Sequence, residues 1–168
     1  MAQSSIESRT QRVFVVALLA SAAVLGFAYY LQYVEYLDPC PWCVVQRLGF
    51  LVIGALALVG LLHRPARGGT IFYGLVGAVI GIAGGLAAGY QIWLQSDPKR
   101  AGACVGSTVE RMLDQLAIGD LWPNFLQYDG PCTLQPWSMF GLSIPEWSLA
   151  WFVVLAAMFA SLLFRPRY

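Results

Sequence analysis

Charged residues are scarce in this chain. Asp, Glu, Lys and Arg make up only 11% of its 168 residues, against 58% hydrophobic, and the mean hydropathy is +0.64. So little polar surface excludes an ordinary soluble globular domain and points to an integral membrane protein. Histidine occurs once, as His63, and cysteine four times. A zinc centre would therefore need four converging thiolates, commonly two closely spaced pairs, and the spacing supplies only one such pair, so no metal is expected. Ten basic and nine acidic residues leave a formal net charge of +1, with no basic stripe or stacking platform to meet nucleic acid. The apolar runs are continuous and lack period-two alternation, which excludes a transmembrane β-barrel.

What the chain does have is four uncharged runs, Val13 to Leu31, Val44 to Leu62, Ile71 to Leu94 and Trp147 to Phe164, broken only by Arg47 in the second. At about 1.5 Å per residue each reaches across a hydrocarbon core of roughly 30 Å, with tilt absorbing the longest. The expectation is an all-α membrane protein forming one integral membrane domain over 1–168. It is a four-transmembrane-helix bundle with spans 13–31, 44–62, 71–94 and 147–164 and a long outer loop 95–146. Arg9 and Arg12, Arg64 and Arg67, and Arg165 and Arg167 flank the ends that belong on the cytoplasmic side. Both termini are then inside, and the loops rich in Asp and Glu are outside. Ala20-Ser21-Ala22 after the arginines imitates a signal-peptide cleavage site, but the apolar run continues through Val24 to Leu31, too long for a typical h-region, so the segment is expected to stay.

With this orientation Cys40, Cys43, Cys104 and Cys132 all lie on the outer side, where disulfides persist. Cys40 and Cys43 stand in Asp38-Pro39-Cys40-Pro41-Trp42-Cys43, where a polar loop becomes the second span. A C-x-x-C pair there can open and close with two electrons beside a bilayer that dissolves carriers water cannot. As a staple, a ring that small contributes about half of the roughly 3 to 4 kcal/mol expected for a loop the size of Cys104 to Cys132. The short pair therefore has little structural use, while the long pair has both a structural and a redox use open to it.

Arg47 follows Cys43 by four residues and Cys40 by seven, on the same helical face about 6 Å deeper. A guanidinium at that depth costs several kcal/mol unless paired. One use is to favour the Cys43 thiolate and to donate to a polar group of a lipid-soluble carrier; the other is to snorkel back to the surface. Gln46, and Gln91 near the outer end of the third span, are further donors for such a carrier, although interfacial glutamines also simply face water or another helix. Gly77, Gly81, Gly85 and Gly89 form a stripe in the third span and predict close helix packing. In the loop, Ser107-Thr108-Val109-Glu110 is a capping box before Val109, Met112, Leu113 and Leu116 at helical spacing. A short amphipathic helix on the membrane surface is predicted, with Pro123, Pro131, Pro136 and Pro145 breaking the rest of the loop.

Taken together, the four spans, Cys-Pro-Trp-Cys at the mouth of the second, Arg47 four residues on, and Cys104 with Cys132 in the long loop make the chain resemble the disulfide bond formation protein B (DsbB) family of quinone-coupled thiol oxidases over essentially its whole length. The resemblance implies a left-handed four-helix bundle in the bacterial inner membrane, with both termini cytoplasmic and the cysteines periplasmic. It also implies reoxidation of a periplasmic thioredoxin-fold, DsbA-like dithiol oxidase, with electrons passing to ubiquinone or menaquinone. Carried over, Cys104 forms the mixed disulfide with that partner, Cys132 exchanges with Cys40, and Cys43 faces the quinone with Arg47 beside it. Protons for the reduced ring come from water, Glu35 or Asp38, or the thiols. A monomer in membrane lipid is the default. A vitamin K epoxide reductase-like enzyme would place its C-x-x-C in a late span, and a non-catalytic four-span scaffold would usually enlarge its first loop and leave Arg47 without a duty. A relative dedicated to one client shares every feature.

Overall fold

The computed structural model describes residues 2–97, 99–100, 108–115, 128, 130, 132 and 137–164. Among these residues five helices and one hairpin follow in order: α1 (Ala2–Tyr33), α2 (Pro41–His63), α3 (Arg67–Gln95), α4 (Thr108–Gln115), the strands β1 (Ser138–Met139) and β2 (Leu142–Ser143), and α5 (Ile144–Ala160). Three stretches, Arg9–Tyr33, Pro41–His63 and Gly68–Gln95, are long and apolar enough to cross a membrane, and α5 is a shorter fourth apolar helix. This is the make-up of a membrane helical bundle. Helix α1 begins well ahead of Val13, and α5 begins before Trp147 and ends short of Phe164. Of the loop 95–146, the described residues hold α4 and the hairpin; Ser107, Cys104 and Leu116 lie outside them.

Local chemistry sets where the helices start and stop. Cys40 sits in extended backbone (φ −85°, ψ 164°) as N-cap of α2, its sulfur accepting the Cys43 N–H, and Pro41 takes the first helical position, where a missing N–H costs nothing. The helix closes on Arg64 in left-handed geometry (φ 43°), whose N–H reaches the Gly60 carbonyl. At α5 the Glu146 carboxylate accepts from both the backbone N–H and the hydroxyl of Ser143, at 2.6 and 2.7 Å. Those two bonds hold the Glu146 carboxyl below the usual carboxylate range. Just before it, Ser138 pairs with Ser143 and Met139 with Leu142 across a two-residue turn, Phe140-Gly141, both with positive φ (54° and 80°), as a tight hairpin requires.

The core is aromatic and close-packed. Phe14, Phe50, Phe152 and Phe159 are fully buried with Ile53, Leu155 and Ala57, and the Phe50 and Phe152 rings stack at 4.1 Å. Helix α3 lies chiefly against α5, α1 against α2, and α2 against α3, whereas α1 and α5 barely touch. The outward faces carry Leu19, Val52, Leu58, Ile82, Leu86 and Val153, an apolar exterior suited to lipid.

The glycine stripe of α3 is the expectation that changes most. A side chain at Gly77 would strike the Phe159 ring, one at Gly81 would meet the Ala156 backbone, and one at Gly84 would strike Phe152, whereas Gly85 leaves ordinary contact and Gly89 open space. A step of four residues turns about 400° and so drifts about 40° each time. The buried face instead follows Gly74, Gly77, Gly81 and Gly84, at alternating steps of three and four.

Candidate functional site

The site forms where the N-terminal end of α2 meets α1, α3 and the start of α5. Cys40 and Cys43 are both free thiols with sulfurs 2.9 Å apart, within reach of a shared hydrogen bond. One helical turn brings them together: the N-cap and the third helical residue are the pair that a first turn stacks. The bond to Cys43, and then burial, push the Cys40 thiol well above its ordinary range, so Cys40 keeps its proton.

From α3, Gln91 reaches both sulfurs, its Nε2 lying 3.3 Å from Cys40 Sγ and 3.2 Å from Cys43 Sγ. Gln46 donates to the Gln91 carbonyl oxygen at 2.6 Å. One turn deeper, Arg47 is buried at 7% exposure; its Nη1 donates to the Gln32 carbonyl oxygen and its Nη2 to the Ala28 carbonyl at 3.2 Å, with the guanidinium 5.5 Å above the Tyr29 ring. The side chain is turned inward onto α1 rather than out to solvent.

These groups face one cavity of about 90 Å³, lined by Cys40, Cys43, Gln46, Arg47, Gln91 and Asp38, with Val24, Leu25 and Phe50 as apolar wall. A second cavity of about 310 Å³ adjoins it and shares Val24, Ala28, Leu31, Trp137, Ile144 and Ser148. It lies along the α1–α5 seam where those helices barely touch, and its remaining lining is apolar or aromatic: Ala23, Phe27, Met139, Trp147 and Trp151.

The other cysteines divide. Cys132 is disulfide-bonded and buried, and it clusters with Cys40 and Leu94, edged by Trp42 and Cys43. The Gly130 N–H bonds the Pro39 carbonyl at 3.1 Å, tying this segment to the linker just before the C-x-x-C. A side chain at Gly130 would collide with the Asp38 carbonyl, so the approach needs glycine there. Cys104 lies outside the described residues. Among the described residues no group of His, Cys, Asp and Glu could hold a metal.

A family model for the disulfide bond formation protein DsbB matches residues 10–162. The chain belongs to the DsbB family. Relatives agree along nearly their whole length. The disulfide bond formation protein B of Hahella chejuensis is 37% identical over 156 residues, covering 92% of this chain and 94% of its own. That of Aromatoleum aromaticum is 37% identical over 158 residues (94% and 95%), and that of Nitrosospira multiformis is 40% identical over 137 residues (82% and 81%). No solved structure matches the chain significantly. Family and fold together make this a multi-pass membrane thiol oxidoreductase of disulfide bond formation. For a DsbB-family chain the C-x-x-C and its arginine are the features legible in the sequence; the structure adds Gln32, and the grip of Gln91 on both thiols. The signal for both was present, because Gln32, Gln46 and Gln91 all interrupt apolar spans at the same end of the bundle.

Proposed function

We propose that this protein is a quinone-dependent protein-dithiol oxidase in the bacterial inner membrane, with both termini cytoplasmic and its cysteines periplasmic. It reoxidises a DsbA-like thioredoxin-fold dithiol oxidase and passes the electrons to ubiquinone or menaquinone. One observation carries the reading: the Cys40–Cys43 dithiol and the buried Arg47 share a cavity that continues into apolar space along the α1–α5 seam. That arrangement fits a quinone. The guanidinium has five N–H groups, of which α1 takes two, and the remainder suit a ring carbonyl. The apolar continuation suits a prenyl tail, and its mouth between loosely touching helices suits loading from lipid. Bound there, a quinone supplies a sink for two electrons and two protons.

The chain's own residues do the rest. The partner's dithiolate attacks a Cys104–Cys132 disulfide at Cys104, releasing Cys132 as thiolate; the partner's second sulfur then displaces Cys104, and the partner leaves oxidised. Cys132, held beside Cys40, attacks the Cys40–Cys43 disulfide at Cys40 and releases Cys43 as thiolate at the cavity wall. Cys104 re-closes on Cys132 and frees Cys40, so two electrons have moved from partner to inner pair. Asp38 is better placed than Glu35 to hand on protons, since Asp38 lines the cavity and Glu35 does not, its carboxylate accepting the Tyr30 hydroxyl at 3.2 Å instead. Arg47 would hold the ring and Cys43 would face it, with Gln46 on the same wall. The placement of the C-x-x-C at the start of α2 favours this reading over a vitamin K epoxide reductase-like one. The inward-turned Arg47 favours it over a scaffold.

Mixing the purified protein with a reduced thioredoxin-fold dithiol oxidase and quinone tests the proposal. One quinone reduced per partner disulfide formed is expected, with the signal lost in Cys40→Ser and Cys43→Ser. Turnover retained in either variant removes the assignment.

A further inference from the structure

Gln91 is 2% exposed in an apolar helix, where each unpaired donor or acceptor would cost about 1–3 kcal/mol. An amide brings two N–H donors and a carbonyl, and here all three are in use. The nitrogen lies within 3.3 Å of both thiol sulfurs, and the oxygen takes the Gln46 N–H at 2.6 Å. One side chain of α3 therefore grips both sulfurs of α2. Gln46, three residues after Cys43, decides which end of that amide faces them: with the carbonyl occupied, the NH₂ group is turned to sulfur. An N–H donor bonds a sulfur carrying negative charge more strongly than a neutral one.

We propose that Gln91, oriented by Gln46, is a positioning residue of the redox pair, one that holds Cys40 and Cys43 side by side and stabilises their reduced, thiolate-bearing form over the disulfide. When the Cys40–Cys43 bond breaks, two electrons enter from Cys132 and its partner sulfur. One inner sulfur is left without a proton, and that product is the one the amide favours. The role rests on the oxidase reading for its purpose: it makes the inner pair a stronger acceptor of electrons from the outer cysteines. The assignment also takes Gln91 away from the carrier, for which its donors would otherwise be free.

The test is a redox titration of the full-length protein in detergent with Cys104 and Cys132 changed to serine, so that only Cys40 and Cys43 titrate. It is run near the ordinary thiol pKa of about 8.5, against a dithiol–disulfide buffer, and read by thiol alkylation. Gln91→Leu and the shape-conserving Gln91→Glu should each shift the equilibrium about tenfold toward the disulfide, a potential about 30 mV more negative. Gln46→Leu should give a smaller shift in the same direction, because the amide stays but loses its orienting bond. Potentials within about twofold of the parent's equilibrium constant in a folded Gln91→Glu protein would overturn the proposal, and that variant decides the matter if Gln91→Leu does not fold. No quinone enters this measurement, so failure of the oxidase reading, seen as absent quinone reduction by the unmodified protein, remains distinguishable from failure here.

Discussion

Arg47 of α2 is held by Gln32 of α1, a buried cation whose hydrogen-bond partners among the described residues are neutral oxygens. With no carboxylate among the described residues bonded to it, the guanidinium directs its charge to the cavity it lines. Changing Arg47 to Gln should raise the quinone Km about tenfold, the equivalent of about 1.4 kcal/mol for a charged hydrogen bond. The Km for the protein partner should move by roughly twofold or less. Steady-state kinetics with each substrate varied in turn checks this, and an unchanged quinone Km contradicts it. Gln32→Leu should lower stability in detergent by about 1–3 kcal/mol, because it strips a buried charged donor of its acceptor.

The burial of Cys132 against Cys40 makes a trapping prediction. In Cys132→Ala, the free Cys104 thiol should attack the disulfide of a thioredoxin-fold partner supplied in its oxidised form and accumulate as a mixed disulfide, since the outer pair's resolving sulfur is gone. Non-reducing electrophoresis followed by mass mapping reads the adduct. Finding no adduct would make the outer pair a loop staple.

Packing along α3 can be tested with two alanines. Gly84→Ala places a methyl group in the Phe152 ring and should cost about 1–3 kcal/mol by overpacking. Gly89→Ala, with open space around it, should be neutral or slightly stabilising, since alanine is about 1 kcal/mol better than glycine inside a helix. Thermal unfolding in detergent separates the two, and equal effects would contradict the close approach of α3 and α5.

At the start of α5, Ser143 bonds hold Glu146 ionised below the usual carboxylate range. A depressed folded-state pKa contributes stability above the unfolded value, about 4.3 for glutamate, and loses it as pH falls through the lower folded value. Glu146→Ala should therefore cost about 1 kcal/mol at neutral pH, a capping loss. The difference between variant and parent should shrink in acid, and unfolding midpoints measured across that range should converge.

The C-x-x-C, Arg47 and the apolar helices could be read from the residues because each violates or satisfies a strong rule: a thiol pair at a span mouth, a charge within lipid, an unbroken apolar run. Helix α4 was legible through its apolar spacing, and Leu113 from it is buried against Val44 while Met112 stays exposed. The hairpin before α5 was not, since strands of two residues carry no periodicity and Phe140 in a positive-φ turn is an unusual choice. The Ser143–Glu146 capping box was present in the sequence but lay at a helix start that the apolar run placed at Trp147. Which glutamines meet which sulfurs depends on how α1, α2 and α3 are rotated against each other, and that is set by packing of Phe14, Phe50 and Phe152 rather than by local pattern. The glycine stripe of α3 packs closely at Gly77 and Gly81 and leaves the face at Gly85 and Gly89, because a four-residue step walks off a face that repeats at 3.6.

The most direct measurement is a single turnover of the inner pair alone. Reduced protein with Cys104 and Cys132 changed to serine is mixed anaerobically with one equivalent of quinone, and quinone absorbance is followed while the thiols are counted. One quinone lost per Cys40–Cys43 disulfide formed is the predicted result. An unchanged quinone spectrum over a folded dithiol would contradict the account.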